Sequence, residues 1–269
     1  MSKRSRRKIS GPEKARRITM IVMSLIGVGC LSYFIYYCYQ ADHHTTQTAK
    51  MEELKDKEIL INPERFITRT QDPDAPPILS DYESLYLKNK SLIGWLKIDD
   101  TNIDYPVMQS QNETYYLDHD YEQNYDKNGA LFISKDAKIW PRSQNIIVFG
   151  HNMKSGKMFG NLSKYKKKSY YEKHKYIQFD TLYEKGTYQV MFAFYEKVYQ
   201  ADEVAFKYYQ FIDANSEQEY NSYMEEMRNK SLYETQVSTQ YTDSLLTLST
   251  CDHDTPDAER FVVVAKKVQ

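Results

Sequence analysis

Leu245-Leu246-Thr247-Leu248-Ser249-Thr250-Cys251 is the stretch on which the fold turns: three leucines make it an apolar run, and a thiol closes it. A polar turn segment, Asp252-His253-Asp254-Thr255-Pro256-Asp257, follows. Arg260 then opens a second run, Phe261-Val262-Val263-Val264-Ala265, rich in β-branched residues. This reads as a strand, a loop and a returning strand. Reactive side chains held at the ends of rigid elements are how a scaffold presents chemistry. The thiol is therefore a candidate nucleophile, against the ordinary alternative of a small buried side chain.

Upstream, the same alternation recurs. Trp95–Ile98 and Ile103–Met108 read as strands joined by a polar turn at Asp99–Asn102. Ala130–Ile133 follows a turn at Asn128-Gly129. Asn145–Phe149 is a buried-looking strand that Gly150-His151-Asn152 is expected to break, and Tyr176–Phe179 with Tyr188–Tyr195 suggests a long hairpin. Two helices are expected. One starts at Ser80, with Glu83 completing a capping box, and runs to about Asn89. The other starts from a Ser216/Glu219 box and turns Tyr220, Tyr223, Met224 and Met227 toward the core. Seven or eight short strands and few helices predict a mostly β, antiparallel-rich barrel or sandwich. No repeat or low-complexity tract occurs, and no base-stacking motif suggests a nucleic-acid partner.

Charge is unevenly placed in these 269 residues. The net charge is -1, yet residues 1–17 hold eight basic side chains against Glu13. Residues 18–39, ITMIVMSLIGVGCLSYFIYYCY, hold no charge and are long enough to cross a bilayer, with Tyr36, Tyr37 and Tyr39 as interfacial aromatics. No small-x-small cleavage site follows, so the reading is an uncleaved signal anchor with a cytoplasmic N-terminus. The expected organisation is a basic tail at 1–17, a transmembrane helix at 18–39, a partly helical extracellular stalk and Pro-rich linker at 40–79, and a catalytic domain at 80–269. Cys30 and Cys38 fall inside the span, leaving Cys251 as the lone exported thiol without a disulfide partner.

A cysteine nucleophile needs a base or a positive neighbour, and acyl transfer needs donors for an oxyanion. Of the histidines, His43 and His44 lie in the stalk, and His174, between two lysines, reads as solvated surface. His151 ends an apolar strand, as Cys251 does; His253, two residues from the thiol, and His119 remain rivals. Arg260 begins the strand that follows the thiol. It can reach Cys251 if the two strands pair, against the alternative of a rim ion pair with Asp257 or Glu259. Four consecutive residues at 251–254 cannot converge on one metal, and no CxxC or HxxxH pair supports a metal site.

These residues resemble a known family. Thr247-Leu248-Ser249-Thr250-Cys251 with Arg260 leading Phe-Val-Val-Val-Ala-Lys looks like the signature of sortases, membrane-anchored transpeptidases of Gram-positive bacteria. Ile147–Met153 with Met158-Phe159-Gly160, the helix near 216–229 and Ser231-Leu232-Tyr233 resemble the class B branch. The resemblance spans about residues 80–269. It implies a closed eight-stranded barrel with helices before the first strand and between the sixth and seventh. Cys251 would attack the Thr carbonyl of an Asn-Pro-x-Thr-type C-terminal sorting signal, with His151 as acid and base and Arg260 stabilising the oxyanion. Leu117, Ser249 and Asp252 would lie beside the peptide. The acceptor would be an amine of a peptidoglycan precursor, and no cofactor is implied. Class B members serve haem-iron uptake proteins or build pili, and the residues do not separate these roles. A hydrolytic surface peptidase would use the same three residues. An L,D-transpeptidase-like cross-linker would need a glycine before its cysteine, which this chain lacks, and a non-enzymatic binding domain would leave the thiol idle.

Overall fold

In a computed structural model, residues 11–56, 74–199, 202–203, 205–251 and 260–269 are described. The chain divides into two compact units, Met1–Glu52 and Glu53–Gln269. The first is built on one helix, α1 (Gly11–Asp56), whose portion Gly11–Tyr39 is long and apolar enough to cross a membrane. The helix does not stop where the apolar residues end. Residues 40–56 contain neither Gly nor Pro, so nothing in the backbone interrupts it.

The second unit opens with α2 (Ser80–Lys88), which buries Tyr82 and Leu85. Its extent is as expected, but the capping box does not form. Leu79 precedes the first turn and donates its N–H to Leu182 O at 2.8 Å, while the Ser80 hydroxyl turns to Asp81. Eight strands follow: β1 (Leu92–Lys97), β2 (Asp104–Gln109), β3 (Leu131–Ile133), β4 (Asn145–His151), β5 (Tyr176–Thr181), β6 (Thr187–Glu196), β7 (Leu245–Cys251) and β8 (Arg260–Lys267). They close into a barrel in the order β1-β2-β3-β4-β7-β8-β6-β5. Six of the pairings are antiparallel, but β2–β3 and β4–β7 are parallel.

Alternation sorts the strand side chains into two clusters. Leu131, Ile133, Ile146, Val148, Leu246, Leu248, Val263 and Ala265 fill the barrel interior. Leu245, Val262 and Val264 point the other way, into a second cluster with Tyr220, Met224 and Met227 of α4 (Glu217–Lys230), which follows the short α3 (Lys168–Lys173) in the chain. Both faces of β7 and β8 are therefore covered, which is why the two runs read as almost continuously apolar. At the start of α4 the Ser216 hydroxyl accepts from Glu219 N–H at 3.2 Å, as expected of a cap. The Glu219 carboxylate, however, takes the N–H of Asn215 rather than that of Ser216.

Gly150 does not break β4. The strand continues through His151, and Gly150 faces inward, where an added Cβ would collide with Leu131 and come within 2.9 Å of the Phe159 ring. Leu248, fully buried in the interior, provides a test of the packing. Leu248→Ala should cost about 2–5 kcal/mol in equilibrium unfolding by urea, and a change below about 1 kcal/mol would show that the barrel interior is not packed as described.

Candidate active site

Because β4 and β7 run in the same direction, they end at the same edge of the barrel. Their register pairs Asn145 with Leu245 and continues residue by residue to His151 with Cys251. On the far side of β7, the antiparallel β8 pairs Ser249 with Val262 and begins at Arg260, whose Nη1 reaches the Thr250 carbonyl. The backbone thus brings His151, Cys251 and Arg260 to one edge, at the ends of three neighbouring strands. On β4 the odd-numbered residues alternate with the interior Ile146 and Val148, so His151 belongs to the outer face.

His151 is buried, and its Nε2 lies 2.6 Å from the carbonyl oxygen of Leu117, the last residue of a 3-10 turn at Tyr115–Leu117. A carbonyl only accepts, so this contact requires the proton on Nε2. Gly129 lies close against Leu117. This glycine has φ +60°, and a Cβ there would approach Leu117 O to 2.7 Å. The next residue, Ala130, donates its N–H to Tyr116 O at 2.9 Å. From below, Phe159 N–H donates to the carbonyl of His151 at 3.0 Å. The histidine is thus fixed by backbone from two sides.

Thr250, between the thiol and the buried Ser249, ties β7 to β8. Its hydroxyl accepts from Phe261 N–H at 2.8 Å, and its carbonyl accepts from Arg260 Nη1 at 3.4 Å. Ser249 is only 1 % exposed and its hydroxyl bonds that of Tyr208 at 2.8 Å, so a ligand reaches Ser249 only if Tyr208 moves. On the other side of β8, the register pairs Arg260 with Glu196. Burial alone would push the Glu196 carboxyl up. The Lys230 ammonium at 2.7 Å, the Lys197 N–H at 3.1 Å and the Tyr199 hydroxyl at 2.9 Å outweigh that and hold it below its ordinary value.

The other sequence candidates disperse. His119 stacks on Tyr115 with ring centres 4.1 Å apart and bonds the Asp118 carboxylate through Nδ1. His174 is not simply solvated, since its Nδ1 lies 3.0 Å from the carbonyl of Asp99. Asp252, His253, Asp257 and Glu259 lie outside the described residues, as does the side chain of Cys251. Sequence reading missed Gly129, Thr250 and Glu196 as parts of the site. Gly129 reads only as a turn residue; Thr250 acts through Arg260 and Phe261 on the following strand, and Glu196 through Lys230 at the end of the inserted helix.

Two predictions test this geometry. Gly129→Ala forces a side chain against the carbonyl that holds His151. It should lose about 1–2 kcal/mol of stability from the left-handed backbone and roughly tenfold in turnover; wild-type turnover would separate Gly129 from the histidine. Glu196 contributes stability that is present above its unfolded-state value near 4.5 and lost as pH falls through its lower folded value. The unfolding midpoints of the native chain and Glu196→Gln should therefore differ at pH 7 and draw together as the pH falls below the ordinary carboxyl range. A gap that stays constant with pH would remove the carboxylate from the account.

Comparison with known proteins agrees with this architecture. The family model described as the sortase domain matches residues 96–268. Sortase B of Staphylococcus aureus (strain NCTC 8325 / PS 47) is 33 % identical over 190 residues, which cover 70 % of this chain and 75 % of that protein. A crystal structure of sortase B from B. anthracis in complex with AAEK1 superposes with a TM-score of 0.71 at 26 % identity, covering 86 % of this chain and 99 % of the other. A Staphylococcus aureus sortase B–substrate complex superposes with a TM-score of 0.69 at 30 % identity, covering 84 % and 98 %. The chain belongs to the sortase family, in its class B branch of cysteine transpeptidases.

Proposed function

We propose that this protein cleaves a C-terminal sorting signal of the Asn-Pro-x-Thr type after its Thr and joins the released carboxyl end to an amine of a peptidoglycan precursor. The observation that carries the reading is the grouping at the barrel edge, where His151 and Cys251 are register partners and Arg260 begins the next strand. Residues directly opposite one another across paired strands share a face, so base, nucleophile and cation would meet at one substrate carbonyl.

In the first half-reaction the Cys251 thiolate adds to the Thr carbonyl carbon, and the guanidinium of Arg260 stabilises the oxyanion that forms. The Thr C–N bond breaks, and the protonated His151 supplies a proton to the leaving amine, leaving a thioester on Cys251. In the second, an incoming amine attacks that thioester and His151 takes its proton. The C–S bond breaks, Cys251 returns as thiolate, and a new amide remains. With the Nε2 proton committed to Leu117, Nδ1 is the ring atom that alternates between holding and releasing a proton.

Leu117, whose carbonyl touches His151, and Asp252 would flank the peptide groove, with Ser249 joining them when Tyr208 moves aside. The basic residues before α1's apolar portion favour a cytoplasmic N-terminus, an anchor at 18–39 and a stalk at 40–79 that carries the catalytic domain, 80–269, outside the cell. Its partners would then be secreted proteins bearing sorting signals and a membrane-borne amine acceptor.

The test is a quenched Asn-Pro-x-Thr peptide library offered to the chain with and without diaminopimelate-type or oligoglycine amines. Cys251→Ala should abolish cleavage, His151→Ala should lower it by about 10²–10⁴, and His253→Ala should leave it near the wild-type rate. Amine-linked product distinguishes transfer from hydrolysis. Loss of cleavage with His253→Ala but not with His151→Ala would overturn the assignment of the base.

A further inference from the structure

The segment that leaves the catalytic edge after β4 carries an unusual charge. Between Lys154 and Lys175 eight of the residues are lysine and one, Glu172, is acidic. The rest of the chain from residue 40 onward holds 20 basic side chains against 35 acidic ones. A concentrated cationic patch therefore sits on a domain that is otherwise anionic.

The patch is one folded surface rather than a loose run. Phe159, Leu162, Tyr165 and Tyr171 are buried in the barrel's interior cluster. The Tyr165 hydroxyl donates to His174 O at 2.7 Å, and His174 N–H returns to Tyr170 O and Tyr171 O. Its outer side presents Lys164, Lys166, Lys167, Lys168, Lys173 and Lys175, all exposed. Elsewhere on the domain Lys97, Lys185, Lys230, Lys266 and Lys267 each pair with a carboxylate at 2.7–3.2 Å. Among the described residues none of these six lysines makes an ion pair, although Glu172, Asp99 and Asp100 are exposed nearby. Tyr176, 53 % exposed, borders them.

We propose that this lysine face docks on the anionic phospholipid headgroups of the bilayer in which the chain is anchored, an inference that rests on the anchor reading and not on the assignment of the catalytic residues. Attraction between exposed lysines and headgroup phosphates reaches only about 8 Å at physiological salt, so it acts on a surface held nearby. A covalent tether supplies that proximity at high effective concentration. The bordering tyrosine suits the headgroup level, and the acidic remainder of the domain is repelled, which gives the contact an orientation. The lysine segment starts at His151, where Phe159 bonds its carbonyl, so docking turns the catalytic edge toward the bilayer.

The experiment is hydrogen exchange on the full chain in nanodiscs of zwitterionic lipid and of lipid with about 30 % phosphatidylglycerol. On anionic discs the amides of 162–175 should exchange about fivefold more slowly, and about 0.5 M salt should erase the difference. Combined Lys164→Glu, Lys166→Glu, Lys167→Glu and Lys168→Glu should abolish it while protection of β4 stays intact; glutamines at the same four positions, a milder change, should weaken it. Equal exchange on the two discs would overturn the proposal. So would protection of 162–175 by soluble polyglycerol phosphate on zwitterionic discs without any on anionic ones, which would reassign the face to a wall polymer. Peptide cleavage by the glutamate variant, measured in detergent, should match wild type. Cleavage lost in wild type with disc protection retained would count against the catalytic reading alone.

Discussion

The parallel pairing of β4 with β7 is the constraint on which the site depends. Two strands separated by about a hundred residues run side by side in one direction, so both end at one edge. Their register is pinned at the other end. Arg142 Nη2 donates to Leu245 O at 2.8 Å and to the Tyr188 hydroxyl at 3.1 Å, while Thr247 donates its hydroxyl to the Asn145 side chain at 2.9 Å. A slip of one residue would send the interior side chains to the outer face and His151 at the edge to the interior. The same polar contacts that close the bottom of the sheet therefore decide which residues meet at the top.

That division also explains how an apolar barrel can carry polar chemistry. The interior takes Ile146, Val148, Leu246 and Leu248, where an unpaired charge would be costly. The outer face takes Asn145, Thr247, Ser249 and His151, each with a partner on another segment: Asn145 bonds Phe211, Thr247 bonds Asn145, Ser249 bonds Tyr208 and His151 bonds Leu117. Glycines make two of the close approaches possible. Gly150 leaves room for Leu131 and Phe159 beneath the histidine, and Gly129 leaves room for the carbonyl above it. A histidine gripped by backbone groups has its tautomer set by the fold rather than by solvent.

Charge is segregated along the chain as clearly as apolarity is. Residues 11–17 of the basic segment and the uncharged apolar run belong to one helix; the lysine face belongs to the connection between β4 and β5, built inward from aromatics and outward from cations. Each follows from a local composition that a periodic burial pattern cannot disguise.

Much of this was legible in the residues. The apolar stretch before residue 40, the two runs flanking Cys251 and Arg260, the hairpin at 176–195 and the Ser216 cap are local signals, and each corresponds to an element of the fold. The sortase motifs carried the closed barrel as well, since a family signature brings its fold with it. What periodicity could not reveal was direction and contact at long range. Strand patterns look the same whether a neighbour runs parallel or antiparallel, so the β4–β7 pairing, and with it the coincidence of His151 and Cys251, belongs to the tertiary structure. The same holds for the Leu117 carbonyl on His151, the covering of Ser249 by Tyr208, and the uncapped start of α2. Each of these depends on a partner dozens of residues away, and a hydrogen bond of that kind leaves no local trace in the sequence.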